Sequence, residues 1–99
     1  MARRFEGKVV FITGGSAGIG AALGLAFARE GACVALAARR RDNLESVCAR
    51  IRENGGQALA LVADVTKRTS LDAAVARTVE AFGGLDIVVA NAGFGINGC

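Results

Sequence analysis

The sequence predicts an α/β fold: a doubly wound parallel sheet with strands in the order 3-2-1-4, truncated after strand four. Three observations predict it. Short, β-branched apolar runs alternate along the chain with longer stretches of helical periodicity. The first run leads through a glycine-rich turn, Thr13-Gly14-Gly15-Ser16-Ala17-Gly18-Ile19-Gly20, into the first helical stretch. Hydrophobic residues make up 53% of the 99 residues and mean hydropathy is +0.42, which suits strands covered on both faces by helices.

After a polar lead-in with Phe5 set to pack under the sheet, the first strand is expected at about Lys8 to Ile12. The first helix runs from about Ile19 to Glu30 and stops at Gly31-Ala32. Cys33 to Ala38 is an apolar second strand. Asp42 or Asn43 is expected to cap a second helix, whose Leu44, Val47, Cys48 and Ile51 fall at i, i+3, i+4 and i+7. Asn54-Gly55-Gly56 ends it, and Ala58 to Val62 is the third strand. Leu71, Val75, Val79 and Phe82 mark a third amphipathic helix, capped near Thr66 or Thr69 and closed by Gly83-Gly84. Ile87 to Ala90 is the fourth strand. The connections are short, and right-handed crossovers give a Rossmann-like sheet.

In such a sheet a ligand sits beyond the carboxyl ends of the strands, where the strand order reverses. That point lies between strands one and four. The groups arriving there are the Gly14–Gly20 turn, Arg39, Asp64 and Asn91-Ala92-Gly93. A strand, a glycine turn and a helix N-terminus together make an anion site, because free N–H groups and the helix dipole face whatever sits over the turn. Gly14 serves the turn, Gly18 the close approach of a phosphate, and Gly20 the packing of helix on strand. A P-loop is excluded, since Ala21-Ala22 follows Gly20 where Lys-Ser/Thr is required. The spacing is G-x-x-x-G-x-G and not the G-x-G-x-x-G of the standard dinucleotide fingerprint.

After the second strand a carboxylate normally receives a free ribose 2′-hydroxyl. Here Ala38 and Arg39 stand in that region. A guanidinium binds a 2′-phosphate that a carboxylate would repel, so NADP is the expected cofactor, ahead of NAD.

The formal net charge is +3, much of the excess in Arg39-Arg40-Arg41. No aromatic interleaves these arginines, so a nucleic-acid partner is not expected. Cys33, Cys48 and Cys99 show no C-x-x-C spacing, and histidine is absent, so no metal site is expected. No apolar run approaches the roughly 18 residues of a membrane span. Arg3 and Arg4 precede too short an apolar run for a signal peptide. The expectation is a cytoplasmic protein with no membrane partner.

With these stretches in place, the chain resembles the short-chain dehydrogenase/reductase family, from about Gly7 to Gly98. The resemblance is carried by the Thr13–Gly20 turn, by Asp64-Val65, and by Asn91-Ala92-Gly93 after Leu85-Asp86-Ile87-Val88-Val89. It implies that Gly14, Ser16, Gly18, Ile19 and Gly20 line the pyrophosphate and nicotinamide side of the cofactor. Asp64 and Val65 would hold the adenine ring, and Asn91, Ala92 and Gly93 would lie along the cofactor. Ala90 departs from the family's N-N-A-G form by replacing its first asparagine, and Asp86 is read as structural. Ala17 departs too, since related NADP users often carry a basic residue there. The family's serine and Tyr-x-x-x-Lys pair lie downstream of these motifs, and this chain has no tyrosine. No residue is therefore assigned a catalytic role, and Lys8 and Lys67 are expected far from the cofactor end.

The implied function is an NAD(P)-dependent oxidoreductase that moves a hydride between NADP(H) and a small carbonyl or alcohol substrate. Residues 1–99 would be its Rossmann-like cofactor-binding domain, an incomplete N-terminal part of a longer enzyme, inactive alone. A homo-oligomer is expected at full length. Two alternatives stand beside this reading: a non-catalytic dinucleotide-binding or scaffolding module, and half of an S-adenosylmethionine methyltransferase. The second suits the chain less well, because that cofactor also favours an acid after strand two.

Overall fold

β1 (Val9–Thr13) is buried along its whole length, since it is a central strand with helices on both sides. It pairs in parallel with β2 (Cys33–Ala38) on one flank and β4 (Ile87–Ala90) on the other. β2 in turn pairs in parallel with β3 (Gln57–Val62), giving the expected order β3-β2-β1-β4. Parallel neighbours need crossovers, and these are α1 (Gly18–Arg29), α2 (Arg41–Glu53) and α3 (Arg68–Phe82). The structure is a computed structural model that describes residues 4–14, 18–64 and 66–90. Among the described residues no helix is long and apolar enough to cross a membrane.

Side chains alternate across the strands and so build two cores. Val10, Ile12, Val34 and Leu36 point to one face, where Leu44, Val47, Cys48 and Ile51 of α2 close over them with apolar residues of α1. Phe11, Ala35, Ala37 and Leu61 point to the other, against Ala74, Leu71, Val75 and Phe82 of α3. This two-sided burial is why β1 and β2 read as unbroken apolar runs. Gly24 lets α1 lie close on the sheet: a Cβ there would stand 3.0 Å from Leu36 Cδ2. Phe5 packs edge-to-face on Phe27, with ring centroids 5.1 Å apart. Cys48 is buried, and that burial pushes its thiol pKa above the ordinary value.

Three details differ from expectation. α2 starts at Arg41 behind an extended Arg40, and α3 at Arg68 behind an extended Lys67. Neither start has a side-chain cap, so Asn43 and Thr69 do not cap; both lie inside their helices. On α3, Thr78 is buried and Val79 is 42% exposed. Burial of Thr78 is tolerable because its hydroxyl donates to the Ala74 carbonyl at 2.9 Å within the helix.

Candidate functional site

Strand register brings the carboxyl ends to one rim. Thr13 lies level with Ala37 and with Ala90, and Ala38 lies level with Val62. Gly14, Arg39 and Asp64 follow these ends directly or within two residues. Ser16, Val65, Asn91, Ala92 and Gly93 belong to the same motifs but lie outside the described residues.

Gly14 has φ +71°, and its N–H donates to the Ala37 carbonyl at 2.7 Å. The bond prolongs the β1–β2 contact one residue past β1 while the chain turns in the left-handed region, where a side chain is disfavoured. Gly18 opens α1 with φ +59°, and among the described residues no atom outside its own helix backbone stands within 4 Å of where its Cβ would be. Bare backbone therefore stands clear of the other described residues where the first N–H groups of α1 have no partner within the helix. Gly20 is buried, and Ile19 is 65% exposed. An exposed isoleucine at the mouth of this rim is an apolar surface that a bound ligand can cover.

Sequence reasoning missed Thr13. It is buried, and its hydroxyl donates to the Val89 carbonyl at 3.5 Å, joining β1 to β4 at the rim. The available signal was a hydroxyl residue closing an otherwise apolar strand.

Charge at the rim is mixed. The Arg39 side chain is exposed and makes no ion pair or hydrogen bond with the described residues. Arg41, by contrast, pairs with Glu45 at 3.7 Å in an exposed i,i+4 contact. Asp64 accepts hydrogen bonds at Oδ1 from the Thr66 hydroxyl at 2.5 Å and the Thr66 N–H at 3.1 Å. Its own N–H donates to Ser70 Oγ at 2.9 Å. The two Thr66 bonds, helped by the positive charges of Arg39 and Lys67, hold its carboxyl below the ordinary carboxylate range. Lys67 was expected far from this end and is not: its N–H donates to the Asp64 carbonyl at 2.9 Å, in the loop leaving β3. The helix N-terminus, the bare glycine and the unpaired guanidinium suit an extended anion, and Asp64 adds a hydrogen-bond acceptor.

A family model described as short chain dehydrogenase matches residues 8–99. Glucose 1-dehydrogenase of Gluconobacter oxydans is 44% identical over 94 residues, covering 94% of this chain and 35% of that protein. 11-beta-hydroxysteroid dehydrogenase A of Sesamum indicum is 47% identical over 88 residues, covering 88% of this chain and 25% of that protein. Among solved structures, the apo form of glucose dehydrogenase from Caenorhabditis elegans aligns with a TM-score of 0.86 at 43% identity. That alignment covers 91% of this chain and 39% of the other. The chain thus spans between 25% and 39% of the length of these relatives.

Proposed function

The chain belongs to the short-chain dehydrogenase family, and from that premise we propose that residues 1–99 supply the cofactor-binding part of an NADP(H)-dependent oxidoreductase acting on a carbonyl or alcohol. The observation that carries the cofactor reading is Gly18, with its positive φ and, among the described residues, the open space over its missing Cβ at the start of α1. A pyrophosphate fits there, against backbone N–H groups and the positive end of the helix dipole. Gly14, Ser16, Gly18 and Gly20 would hold it, and Ile19 would pack beside it. Arg39 would take the 2′-phosphate and Asp64 and Val65 the adenine, with Asn91, Ala92 and Gly93 along the remainder. The nicotinamide, when bound, supplies or accepts the hydride. This part of the chain binds and orients; with neither tyrosine nor histidine in it, proton transfer is assigned to residues beyond it.

Arg39 decides the choice of cofactor in this reading. A charged hydrogen bond to the 2′-phosphate corresponds to a preference for NADP(H) over NAD(H) of about tenfold or more. Arg39→Ala should weaken NADP(H) by about that factor and leave NAD(H) nearly unchanged. Ala38→Asp should reverse the preference, adding repulsion for the phosphate and a partner for the ribose. Dissociation constants of both cofactors for full-length wild type and these variants, at one ionic strength, test this. Equal weakening of both cofactors by Arg39→Ala would remove the NADP assignment. The 99-residue chain, assayed with carbonyls and alcohols, should stay at the blank rate, and turnover by a mass-verified sample would overturn that assignment.

A further inference from the structure

Asp64 is held at every polar group but one. Its N–H goes to Ser70 Oγ, its carbonyl receives the Lys67 N–H, and Oδ1 receives both Thr66 donors. Among the described residues Oδ2 accepts nothing, although a carboxylate oxygen can take more than one hydrogen bond. All three restraining residues come from the short stretch between β3 and the first turn of α3. A carboxylate left to itself at a half-buried rim would turn about χ1 and χ2, and a ligand that needed it would have to freeze both.

We propose that Thr66 is a positioning residue for adenine recognition: by occupying Oδ1 twice it fixes the Asp64 carboxylate and leaves Oδ2 as the acceptor for the exocyclic amine. The role rests on the dinucleotide reading above. It goes further in assigning discrimination between purines to a residue that touches only Asp64. Ser70 and Lys67 fix the backbone on either side of the same carboxylate, so Thr66 acts on a group that is already anchored. The hydroxyl bond is short, as charge-assisted O–H···O⁻ bonds are, and Thr66 is the largest influence on the carboxyl's lowered pKa. The purely local alternative is a turn cap that stabilises the β3–α3 loop and contributes nothing to selection.

The two roles separate by ligand. The probes are NADPH and its hypoxanthine analogue, which places a carbonyl oxygen where adenine carries the amine. Full-length wild type, Thr66→Val and Thr66→Ser would be titrated with each. Wild type should favour the adenine cofactor by about tenfold, the discrimination expected of a hydrogen bond to a charged acceptor. Thr66→Val, which keeps the shape and loses the hydroxyl, should bring that ratio down several-fold while binding of the analogue stays unchanged. Thr66→Ser should restore the ratio. An unmoved ratio in Thr66→Val, or equal weakening of both ligands, overturns the positioning role while leaving the cofactor site standing. A wild type that binds neither dinucleotide overturns the cofactor reading and this role with it. A readout without cofactor is the NMR titration of the Asp64 carboxyl, with Arg39 and Lys67 intact as the neighbouring charges. It should move to higher pH in Thr66→Val and stay near wild type in Thr66→Ser. No movement in Thr66→Val would show that the hydroxyl does not govern this carboxylate.

Discussion

At Gly56 a single methyl group has no place to go. A Cβ there would come within 2.8 Å of Ile51 Cγ2, 3.2 Å of Ala28 Cβ and 3.2 Å of the Ile51 carbonyl oxygen. Ile51 is buried, and the Gly56 N–H already donates to that same carbonyl at 2.9 Å. Rotating the Ile51 side chain relieves one contact but not the backbone one. Gly56→Ala should therefore destabilise the protein by about 1–3 kcal/mol. Gly84→Ala, where none of the described residues other than its chain neighbours stands within 4 Å of the Cβ position, should leave stability unchanged or slightly raised. Urea midpoints for the two variants check this, and equal midpoints would mean the turn after α2 yields more readily than its contacts suggest. The sequence showed Gly56 only as a helix stop. Its steric role depends on α1 bringing Ala28 alongside, which no local pattern records.

The strand elements were legible to within a residue. Two-sided burial writes a continuous apolar run into β1 and β2, and β3 and β4, though partly exposed, are short apolar runs bounded by glycines and acids. The helix starts were less legible. Asp42-Asn43 and Thr66 look like caps, yet the residues at the boundary are extended arginine and lysine without side-chain caps. The rim at Asp64 was half legible. The acid after β3 was found in the sequence, but its local restraints were not, since they need the loop to fold back on itself. Asp86, read as structural, joins β4 to β1. Its Oδ2 accepts the Val9 N–H at 2.8 Å, and its own N–H donates to the Val9 carbonyl at 2.9 Å. The β1–β4 pairing is thereby extended by one residue with a side chain in place of a carbonyl. Asp86→Ala leaves the N–H of buried Val9 without an acceptor, at a cost of about 1–3 kcal/mol. Asp86→Asn keeps an amide oxygen and should recover most of it. Hydrogen exchange at the Val9 amide should accelerate in the alanine variant; unchanged exchange would mean another acceptor takes over.

Over the whole molecule the two faces of the sheet are unequally covered. One is closed by α1 and α2, the other by α3 alone among the described helices. β4 lies at the end of the described strand order, and its Val88 is 57% exposed. An edge of this kind offers unpaired backbone beside apolar surface. The 99-residue chain should therefore self-associate at about tens of micromolar, where such edges meet often enough to matter. Light scattering tests this, and a stable monomer at that concentration would show the edge to be protected. Cys48 makes the better-covered face its own reporter. Its thiol lies on the core face of α2 and is kept protonated by burial, so the contribution of that burial to stability is full below the ordinary thiol pKa of 9.0. It is lost as pH rises through the raised folded value. Near neutral pH a thiol reagent must wait for the core to open, so the rate at which Cys48 is labelled counts openings of that face. The molecule thus carries an internal clock against which every variant above can be timed, once labelling of Cys48 is resolved from that of the less buried Cys33.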